Sequence, residues 1–382
     1  MAVRTKRLTL AALFTALGIL LPLAFHLTGI PAAGQIFLPM HIPVLLCGLI
    51  LGPVYGAVCG AICPVAGFLL MNMPAADRVL FMTAELCAYG LAAGLFYRKC
   101  GLDRLRFGVY PALLGSMLSG RAVYALALAA AAFALLDSLP GKGVVGVCEQ
   151  ATHSGDAPKV LELAHKYPWV YAAVGIHPES LLAPKDCGEE GPAPTVSVYG
   201  GDWAAEMRAL APYYEDPKVV AVGECGLDYH WPVPKDAQLA LFEAEIRLAL
   251  ELDKPIIVHD RSAHADVYAL LKKYRPKGIV HCYSGSADDA VWLARQGLYF
   301  GFGGACTFKG AKRAAKAIAA LPLEQIVLET DCPYMAPEPV RGIRCDSSLI
   351  RYVGEYVASV KGISPEEVFR QTAQNARTVY QL

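Results

Sequence analysis

The sequence predicts two domains, an all-α multi-span membrane bundle over residues 1–139 and an α/β barrel over residues 140–382 with seven of its eight strands. Long apolar segments occur only in the first part. Short β-rich segments alternate with amphipathic ones only in the second. The charge balance changes at the same place, because the first part has nine basic and four acidic residues and the second has 25 and 30.

Five apolar segments in the first part predict membrane-spanning helices. Most approach the ~20 residues that are needed to cross a bilayer. They cover residues 8–28, 36–51, 54–71, 79–97 and 108–136. Basic clusters at residues 4–7 and 98–106 place the amino terminus in the cytoplasm by the positive-inside rule. We therefore expect a multi-pass protein of the cell membrane. The pattern does not decide on which side of the membrane the second domain lies.

Polar and small residues within these spans are candidates for function. Glu85 and Arg121 either line a ligand pocket or have a structural role, because ionisable groups in lipid need a cavity or a partner. His41 lies beside prolines and is expected to be structural. Ala12 and Ala16 lie one helical turn apart and form a small-residue pair suited to close helix packing.

Three segments of the first part, "LTLAALFTALGILLP", "FLPMHIPVLLCGLILGPVYGAVCGAICPVAGFLL" and "SMLSGRAVYALAL", resemble the S component of energy-coupling factor vitamin transporters. The resemblance covers about residues 4–136. It implies a vitamin pocket within the bundle, and it implies that Ala12 and Ala16 dock on the transmembrane coupling subunit. Members of that family have six spans, and the sixth is not found here. A P-loop is also not found, so ATP-driven transport would need separate ATPase subunits.

Seven short segments in the second part predict the strands of a parallel sheet built from βα units. Helices are predicted at Ala237–Leu252 and Asp288–Gln296 from their apolar spacing. The strand segments are Val144–Val147, Val170–Ile176, Val219–Val222, Pro255–Val258, Gly278–Val280, Leu298–Phe302 and Gln325–Leu328. Seven such strands indicate a TIM barrel that lacks one strand. A further stretch, about Leu182–Asp202, is rich in Gly and Pro and predicts a surface loop.

Metal-ligand side chains follow five of these strands, and they are His177, Glu224, His259, His281 and Asp331. In a TIM barrel the carboxyl ends of the strands meet at one site, so these side chains are expected to converge. Imidazoles and carboxylates suit one or two Zn²⁺, Mn²⁺ or Mg²⁺ ions with an open position for water. Glu224 is placed to bridge two ions, and Asp331 to orient the attacking water or accept its proton.

The phrases "AAVGIHPE", "AVGECGLDYH", "KPIIVHDR", "HCYSGS" and "LETDCPYMAP" resemble the TatD family of the amidohydrolase superfamily, from about Gly143 onward. The resemblance implies a metal-dependent, deoxyribonuclease-type hydrolase acting on phosphodiesters. It puts Glu224, His259, His281 and Asp331 in ligand positions and His177 close to the substrate phosphate. Four further residues are interpreted as contacting substrate, supporting the ligands or stabilising the fold, and they are Asp228, His230, Arg261 and Arg341. Of these, Arg261 and Arg341 are predicted to bind substrate.

This chain departs from the TatD pattern in two places. The family begins with a strand that carries an Asp-x-His-x-His motif with two ligands for the first metal, but none of the nine histidines forms an HxH pair. In "RGIRCDSS", Cys345 and Asp346 stand where the family usually has Asn and Glu. Both departures predict a weakened active site.

Two hypotheses follow. The first is a TatD-type hydrolase that acts on nucleic acid or another phosphodiester, with activity reduced by the lost ligands. The second is a membrane vitamin-uptake component that works with coupling and ATPase subunits and carries the barrel as a passenger. The missing span and the missing strand coincide at residues 136–143, so one deletion or misassembly explains both losses. The acidic second part also excludes a broad phosphate-binding surface.

Overall fold

The computed structural model describes residues 2–26, 39–71, 74, 76–182 and 198–382. The chain divides into two compact units, Met1–Ser138 and Leu139–Leu382. The predicted loop at residues 182–202 falls mostly outside the described residues, as do residues 36–38 of the second predicted span.

The first unit is helical, as predicted. Its helices are α1 (Ala2–His26), α2 (His41–Leu51), α3 (Pro53–Met71), α4 (Ala76–Gly94) and α5 (Val109–Ser138), with a π-helical turn at Leu95–Lys99 after α4. Four described helices are long and apolar enough to cross a bilayer, whereas α2 has 11 residues and is too short to cross alone. The helix α2 ends at Leu51. Gly52 follows it with a φ of 104°, a conformation that glycine adopts without strain, and Pro53 then begins α3.

Small residues bring α3 and α4 into close contact. A Cβ atom at Gly56 would lie 2.3 Å from the Gly90 carbonyl oxygen, and one at Gly90 would lie 2.1 Å from the Gly56 oxygen. Neither position can therefore hold a side chain, and the two backbones pack directly against each other. Ala12 and Ala16, by contrast, are exposed on α1.

The second unit is a curled, parallel half-barrel, which confirms the predicted fold class. Its seven strands follow the chain order β1 to β7, and each pairs in parallel with the next. They are β1 (Val147–Gln150), β2 (Val170–Val174), β3 (Val219–Asp228), β4 (Ile256–Arg261), β5 (Gly278–Val280), β6 (Tyr299–Phe302) and β7 (Ile326–Leu328). Strands β1 and β7 form the edges of the sheet.

Eight α-helices accompany the strands in the described part of this unit. They are α6 (Ala157–Lys166), α7 (Trp203–Leu210), α8 (Lys235–Glu251), α9 (His264–Tyr274), α10 (Ala287–Ala294), α11 (Lys312–Ala320), α12 (Ile350–Lys361) and α13 (Pro365–Tyr380). The two helices predicted from apolar spacing correspond to α8 and α10 within two residues at each end.

Three strands differ from the prediction by three residues or more, and one of them is β4, which continues past Val258 to Arg261. Strand β1 begins at Val147 instead of Val144, because the chain first makes a short turn in which the Val144 amide bonds the Leu139 carbonyl. Strand β3 continues six residues beyond Val222, because Gly223 and Gly226 adopt positive φ values of 149° and 143°. This extension follows a shift in register against β4.

One layer of side chains fills the concave face of the sheet. Ala173, Ala221, Ile257, Ile279 and Val327 are buried there, with Cys148 and Tyr299 from the remaining strands and Val379 and Tyr380 from α13 packed against them. Side chains alternate along a strand, so residues two positions farther along share this face. His259 stands at that position on β4, and His281 and Glu329 stand there immediately after β5 and β7.

Candidate metal centre

The carboxylate of Glu224 lies at the centre of the cluster at the carboxyl ends of the strands. Its Oε1 atom is 2.9 Å from Nδ1 of His259, 3.8 Å from Nε2 of His281 and 3.9 Å from Nε2 of His177. The four side chains come from β3, β4 and the turns after β2 and β5, and each is between 13% and 18% exposed. The structure therefore brings together residues that are up to about a hundred positions apart in sequence.

In two of these imidazoles, a carboxylate binds the outer ring nitrogen, which is the one that faces away from Glu224. Nε2 of His259 lies 3.0 Å from Oδ2 of the fully buried Asp228, and Nδ1 of His281 lies 2.8 Å from Oε2 of Glu329. Such partners fix the orientation of a metal-binding histidine and make its inner nitrogen a better ligand. His259 and His281 thus present Nδ1 and Nε2, respectively, toward Glu224.

Asp331 completes the set of ligand-type side chains. Its Oδ1 lies 3.8 Å from Nε2 of His281, and the side chain is 38% exposed. Burial raises the pKa of this carboxyl group, which His281 only partly offsets. The donor set of two imidazoles and two carboxylates fits a divalent ion with an open position.

A geometrically compact group of His177, Glu224 and His259 also has the spacing of a metal site. We favour Glu224, His259 and His281 as ligands, because Nδ1 of His177 accepts a hydrogen bond from the Glu179 amide at 3.3 Å. A neutral His177 therefore carries its proton on Nε2, the atom that faces Glu224. While Nδ1 keeps this hydrogen bond, that nitrogen acts as a hydrogen-bond donor and not as a metal ligand.

Burial and charge set the protonation of the cluster. The pKa of His177 falls to about 4, mainly through burial and also through the nearby His259. For His259, burial is outweighed by hydrogen bonds to Asp228 and Glu224, which raise the pKa to about 9. For His281, the charges of Glu329 and Glu224 outweigh burial and raise the pKa to about 10. A cation that binds to these nitrogens must displace their protons.

The position of the Glu329 carboxylate depends on the space left by a glycine on a neighbouring strand. Oε1 of Glu329 accepts a hydrogen bond of 2.6 Å from the Cys282 amide, which holds the carboxylate against His281. A Cβ atom at Gly301 on β6 would lie only 2.1 Å from Oε2 of Glu329. The absence of a side chain at residue 301 therefore makes room for the partner of His281.

We expect Gly301→Ala to lower the divalent-metal affinity by about 10- to 100-fold, the usual effect of losing the partner of a metal-binding histidine. The reason is that the new methyl group displaces the carboxylate of Glu329. Equilibrium dialysis with Mn²⁺ or Zn²⁺ measures the affinity. Gly310→Ala is the matched control, because a Cβ atom there meets nothing within 4 Å. Equal affinities for both variants would contradict the role of Glu329.

Two other candidate residues lie outside the cluster. The guanidinium of Arg261 is 5.8 Å from the centroid of the Trp231 ring, and that of Arg341 is 4.1 Å from the Phe308 ring. His230 donates its backbone amide to Asp228. Sequence reasoning did not single out Glu329, although its position two residues beyond the interior Val327 could have indicated it.

Glu245 on α8 is a buried carboxyl group close to the cluster. Its Oε1 accepts a hydrogen bond of 2.8 Å from the Ile176 amide, immediately before His177. Its Oε2 has no hydrogen-bond partner among the described residues. Burial, reinforced by the charge of Glu206, raises the pKa of Glu245 well above its usual range.

This shift predicts that the second unit becomes less stable as the pH rises. The folded chain keeps a proton on Glu245 that the unfolded chain releases above about pH 4.3. The contribution of Glu245 to the free energy of unfolding is therefore fully present below that pH and is lost as the pH rises toward the folded-state pKa. We expect Glu245→Gln to remove this decline while keeping the acceptor for Ile176. Denaturant unfolding followed by tryptophan fluorescence tests this, because all four tryptophans follow residue 139. Parallel pH profiles for the two proteins would contradict it.

In the first unit the two candidate pocket residues pair with each other. Nη1 of Arg121 lies 2.9 Å from Oε1 of Glu85, and the Tyr89 hydroxyl donates a hydrogen bond of 3.0 Å to the same oxygen. Glu85 is 2% exposed. The ring centroid of His41 lies 5.3 Å from that of Tyr89, which places it beside this group. The pairing satisfies both charges within the helical bundle.

A parallel half-barrel with imidazoles and carboxylates at the carboxyl ends of its strands defines the second unit as a metal-dependent hydrolase of the TIM-barrel class. Residues 134–381 match the family model described as TatD related DNase, and the chain belongs to that family. Residues 6–183 match the model described as ECF transporter, substrate-specific component. The end of that match covers β1, α6 and β2, which fold as part of the second unit.

Known proteins agree with this assignment. The metal-dependent hydrolase YabD of Bacillus subtilis is 37% identical over 228 residues, which are 59% of this chain and 82% of YabD. A protein of Erwinia tasmaniensis named 3'-5' ssDNA/RNA exonuclease TatD is 29% identical over 250 residues, or 63% of this chain and 90% of that protein. The crystal structure of YjjV, a TatD homologue from Escherichia coli, is 28% identical with a TM-score of 0.56, covering 66% of this chain and 93% of that one.

Proposed function

We propose that the second unit hydrolyses phosphodiester bonds in nucleic acid, using one divalent ion held by Glu224, His259, His281 and Asp331. The observation that carries this proposal is the pair of imidazoles that face Glu224 while Asp228 and Glu329 hold their outer nitrogens. The exonuclease name of the Erwinia tasmaniensis relative supports nucleic acid as the substrate. Zn²⁺, Mn²⁺ and Mg²⁺ are the candidate ions, and the nitrogen ligands favour the first two.

When bound, such an ion would activate a water molecule and polarise a phosphoryl oxygen, so that the phosphorus is attacked more readily. Asp331 is the general base, because its carboxylate lies at the mouth of the centre and is exposed enough to meet the attacking water. Nε2 of His177 donates a hydrogen bond to a non-bridging phosphate oxygen and keeps its proton. Its low pKa keeps it neutral at physiological pH, so this tautomer is the populated one. Arg261 and Arg341 contact the substrate outside the centre.

One ion fits this chain better than two. The nine histidines include no HxH pair, and the edge strand β1 presents Cys148 and Gln150 toward the concave face. The Gln150 side-chain amide donates a hydrogen bond of 3.2 Å to the carbonyl of Cys148. Neither side chain supplies a carboxylate or an imidazole for a second ion, so Glu224 acts as a ligand of one ion and not as a bridge.

The test is cleavage of a 5'-labelled single-stranded DNA by the full chain in detergent, with Mn²⁺, Zn²⁺ or Mg²⁺ added to metal-free protein. We expect metal-dependent cleavage that disappears in Glu224→Gln. Chelator-resistant cleavage, or equal cleavage by Glu224→Gln, would overturn the proposal, and so would no cleavage with any of the three ions.

The first unit suggests a second function in the membrane. We propose that it binds a small molecule as the S component of an energy-coupling factor transporter, with Ala12 and Ala16 docking on the coupling subunit and ATP hydrolysed by separate subunits. The family match to residues 6–183 and the exposure of both alanines favour this. Ala12→Leu with Ala16→Leu should prevent co-purification with co-expressed coupling and ATPase subunits, and unchanged co-purification would refute the docking face. Glu85 and Arg121 line the proposed vitamin pocket, although each is already paired with the other.

A further inference from the structure

A cavity with charged side chains in its lining opens beside the cluster, on the side formed by β4 and β5. Its volume is about 570 Å³. It is lined by Tyr229, Arg261, Ser262, His264, Ser284 and Arg313, among others. Arg261 follows His259 by two residues, and Ser284 follows His281 by three. A chain bound at the centre can therefore continue directly into this cavity.

The cavity has a local excess of positive charge. Arg261 and Arg313 are both exposed, and in the described part of the chain neither forms an ion pair with a carboxylate. The carboxylate of Asp266 also lines the cavity, but it accepts a hydrogen bond of 2.7 Å from the Tyr229 hydroxyl. Two guanidinium groups thus face the cavity against one carboxylate of its lining, and the charge of Arg261 also acts on the carboxylates of Glu179 and Asp228. Guanidinium groups bind phosphate oxygens well, because their planar donors match two oxygens at once.

Aromatic surface lies beside these charges. The Arg261 guanidinium is 5.8 Å from the ring centroid of Trp231, which in turn packs edge-on against His230 at 4.9 Å. Aromatic rings next to a cationic groove are the arrangement that binds single-stranded nucleic acid, with bases stacked on the rings and phosphates on the cations. An isolated phosphate would use the charges but not the ring.

We propose that this cavity is a second phosphate subsite, in which Arg313 and Arg261 bind the phosphodiester next to the one that is cleaved. This inference rests on the proposed function and narrows its substrate class to oligonucleotides with at least two consecutive phosphodiesters. It also explains how a unit with more acidic than basic residues holds a polyanion, because the positive charge is concentrated beside the reacting centre.

Binding of the full chain to fluorescein-labelled oligothymidylate, in detergent with EDTA, tests the subsite without a loaded metal. We expect Arg313→Gln to weaken binding by about fivefold to tenfold. The slope of log affinity against log salt concentration should become shallower by about 0.7, the value for one lost phosphate contact on a single strand. Arg295→Gln is the matched control, because Arg295 is exposed after α10, at the opposite end of the sheet.

Oligonucleotides with a single neutral methylphosphonate linkage identify the phosphate concerned. At one linkage position, the methylphosphonate should weaken binding to the wild type by the same factor as Arg313→Gln does. At that position it should not weaken binding to the Arg313→Gln variant any further. Additive losses at every position, or an unchanged salt slope in Arg313→Gln, would overturn the subsite. Absence of binding by the wild type would also overturn it.

Cleavage of a chromogenic ester with one phosphate separates this inference from the proposed function. Metal-dependent cleavage that is equal in the wild type and Arg313→Gln leaves the hydrolase intact. If the ester is cleaved in this way and Arg313→Gln binds the oligonucleotide as tightly as the wild type, only the second phosphate subsite is refuted. Loss of ester and DNA cleavage together refutes the hydrolase.

Discussion

His259→Ala is expected to lower the affinity of the chain for Mn²⁺ or Zn²⁺ by more than about 100-fold, because removal of a ligand exceeds the 10- to 100-fold effect of removing its supporting partner. The imidazole contributes Nδ1 beside Glu224 and anchors itself through Asp228. Its removal also leaves the buried Asp228 carboxylate without that partner. Competition against a chromogenic chelator measures the affinity.

His264→Ala is the matched control for this variant. His264 lies five residues farther along and makes the same kind of contact, with Nδ1 2.6 Å from Oδ2 of Asp260, but it stands outside the cluster. We expect its metal affinity to stay within about threefold of the wild type, as for a residue outside the metal's ligands and their partners. Equal losses in both variants would show that the effect is a general one on folding and would contradict the assignment of His259.

Arg121→Ala is expected to destabilise the first unit by about 3 kcal/mol, the lower end of the range for breaking a buried ion pair. The lower end applies because Arg121 is 54% exposed, whereas its partner Glu85 is 3% exposed. The variant leaves the Glu85 carboxylate buried without a counter-ion in an apolar bundle, which is costly. The double variant Glu85→Gln with Arg121→Met should recover most of the stability, because it removes both charges together.

The rate at which a maleimide labels the buried Cys47, Cys59 and Cys63 reports this unfolding, with each site identified by mass spectrometry. The Arg121→Ala chain should label more than about 100-fold faster, since each 1.4 kcal/mol is a factor of ten. Labelling at the wild-type rate would show that the pair contributes little. A double variant that labels as fast as Arg121→Ala would contradict the role of the unpaired buried charge, because that variant carries neither charge.

The sequence was sufficient for the fold class, because each strand of the half-barrel is a short apolar segment between amphipathic helices. It also predicted which side chains meet, since His259 and His281 follow buried strands at the end where parallel strands converge. The alternation Ile257, His259 and Ile279, His281 put each imidazole on the concave face. These features are local in sequence, and a pattern can express them.

Other features depend on contacts between distant residues. The partnership of Glu329 with His281 requires that Gly301, on a neighbouring strand, lacks a side chain. The extension of β3 requires positive φ at Gly223 and Gly226, which the sequence permits but does not impose. Arg341 packs on Phe308, 33 residues earlier, and Glu85 pairs with Arg121 on another helix. None of these pairs has a spacing that a helix or strand period predicts.

We propose that the half-barrel of this chain holds one metal ion and not two. The most direct test is to count metal ions in the full chain by elemental analysis, after saturation with Mn²⁺ or Zn²⁺ and removal of the unbound ion, with Glu224→Gln in parallel. We expect one ion per chain in the wild type and none in the variant. Two ions per chain, or one ion that persists without the Glu224 carboxylate, would contradict it.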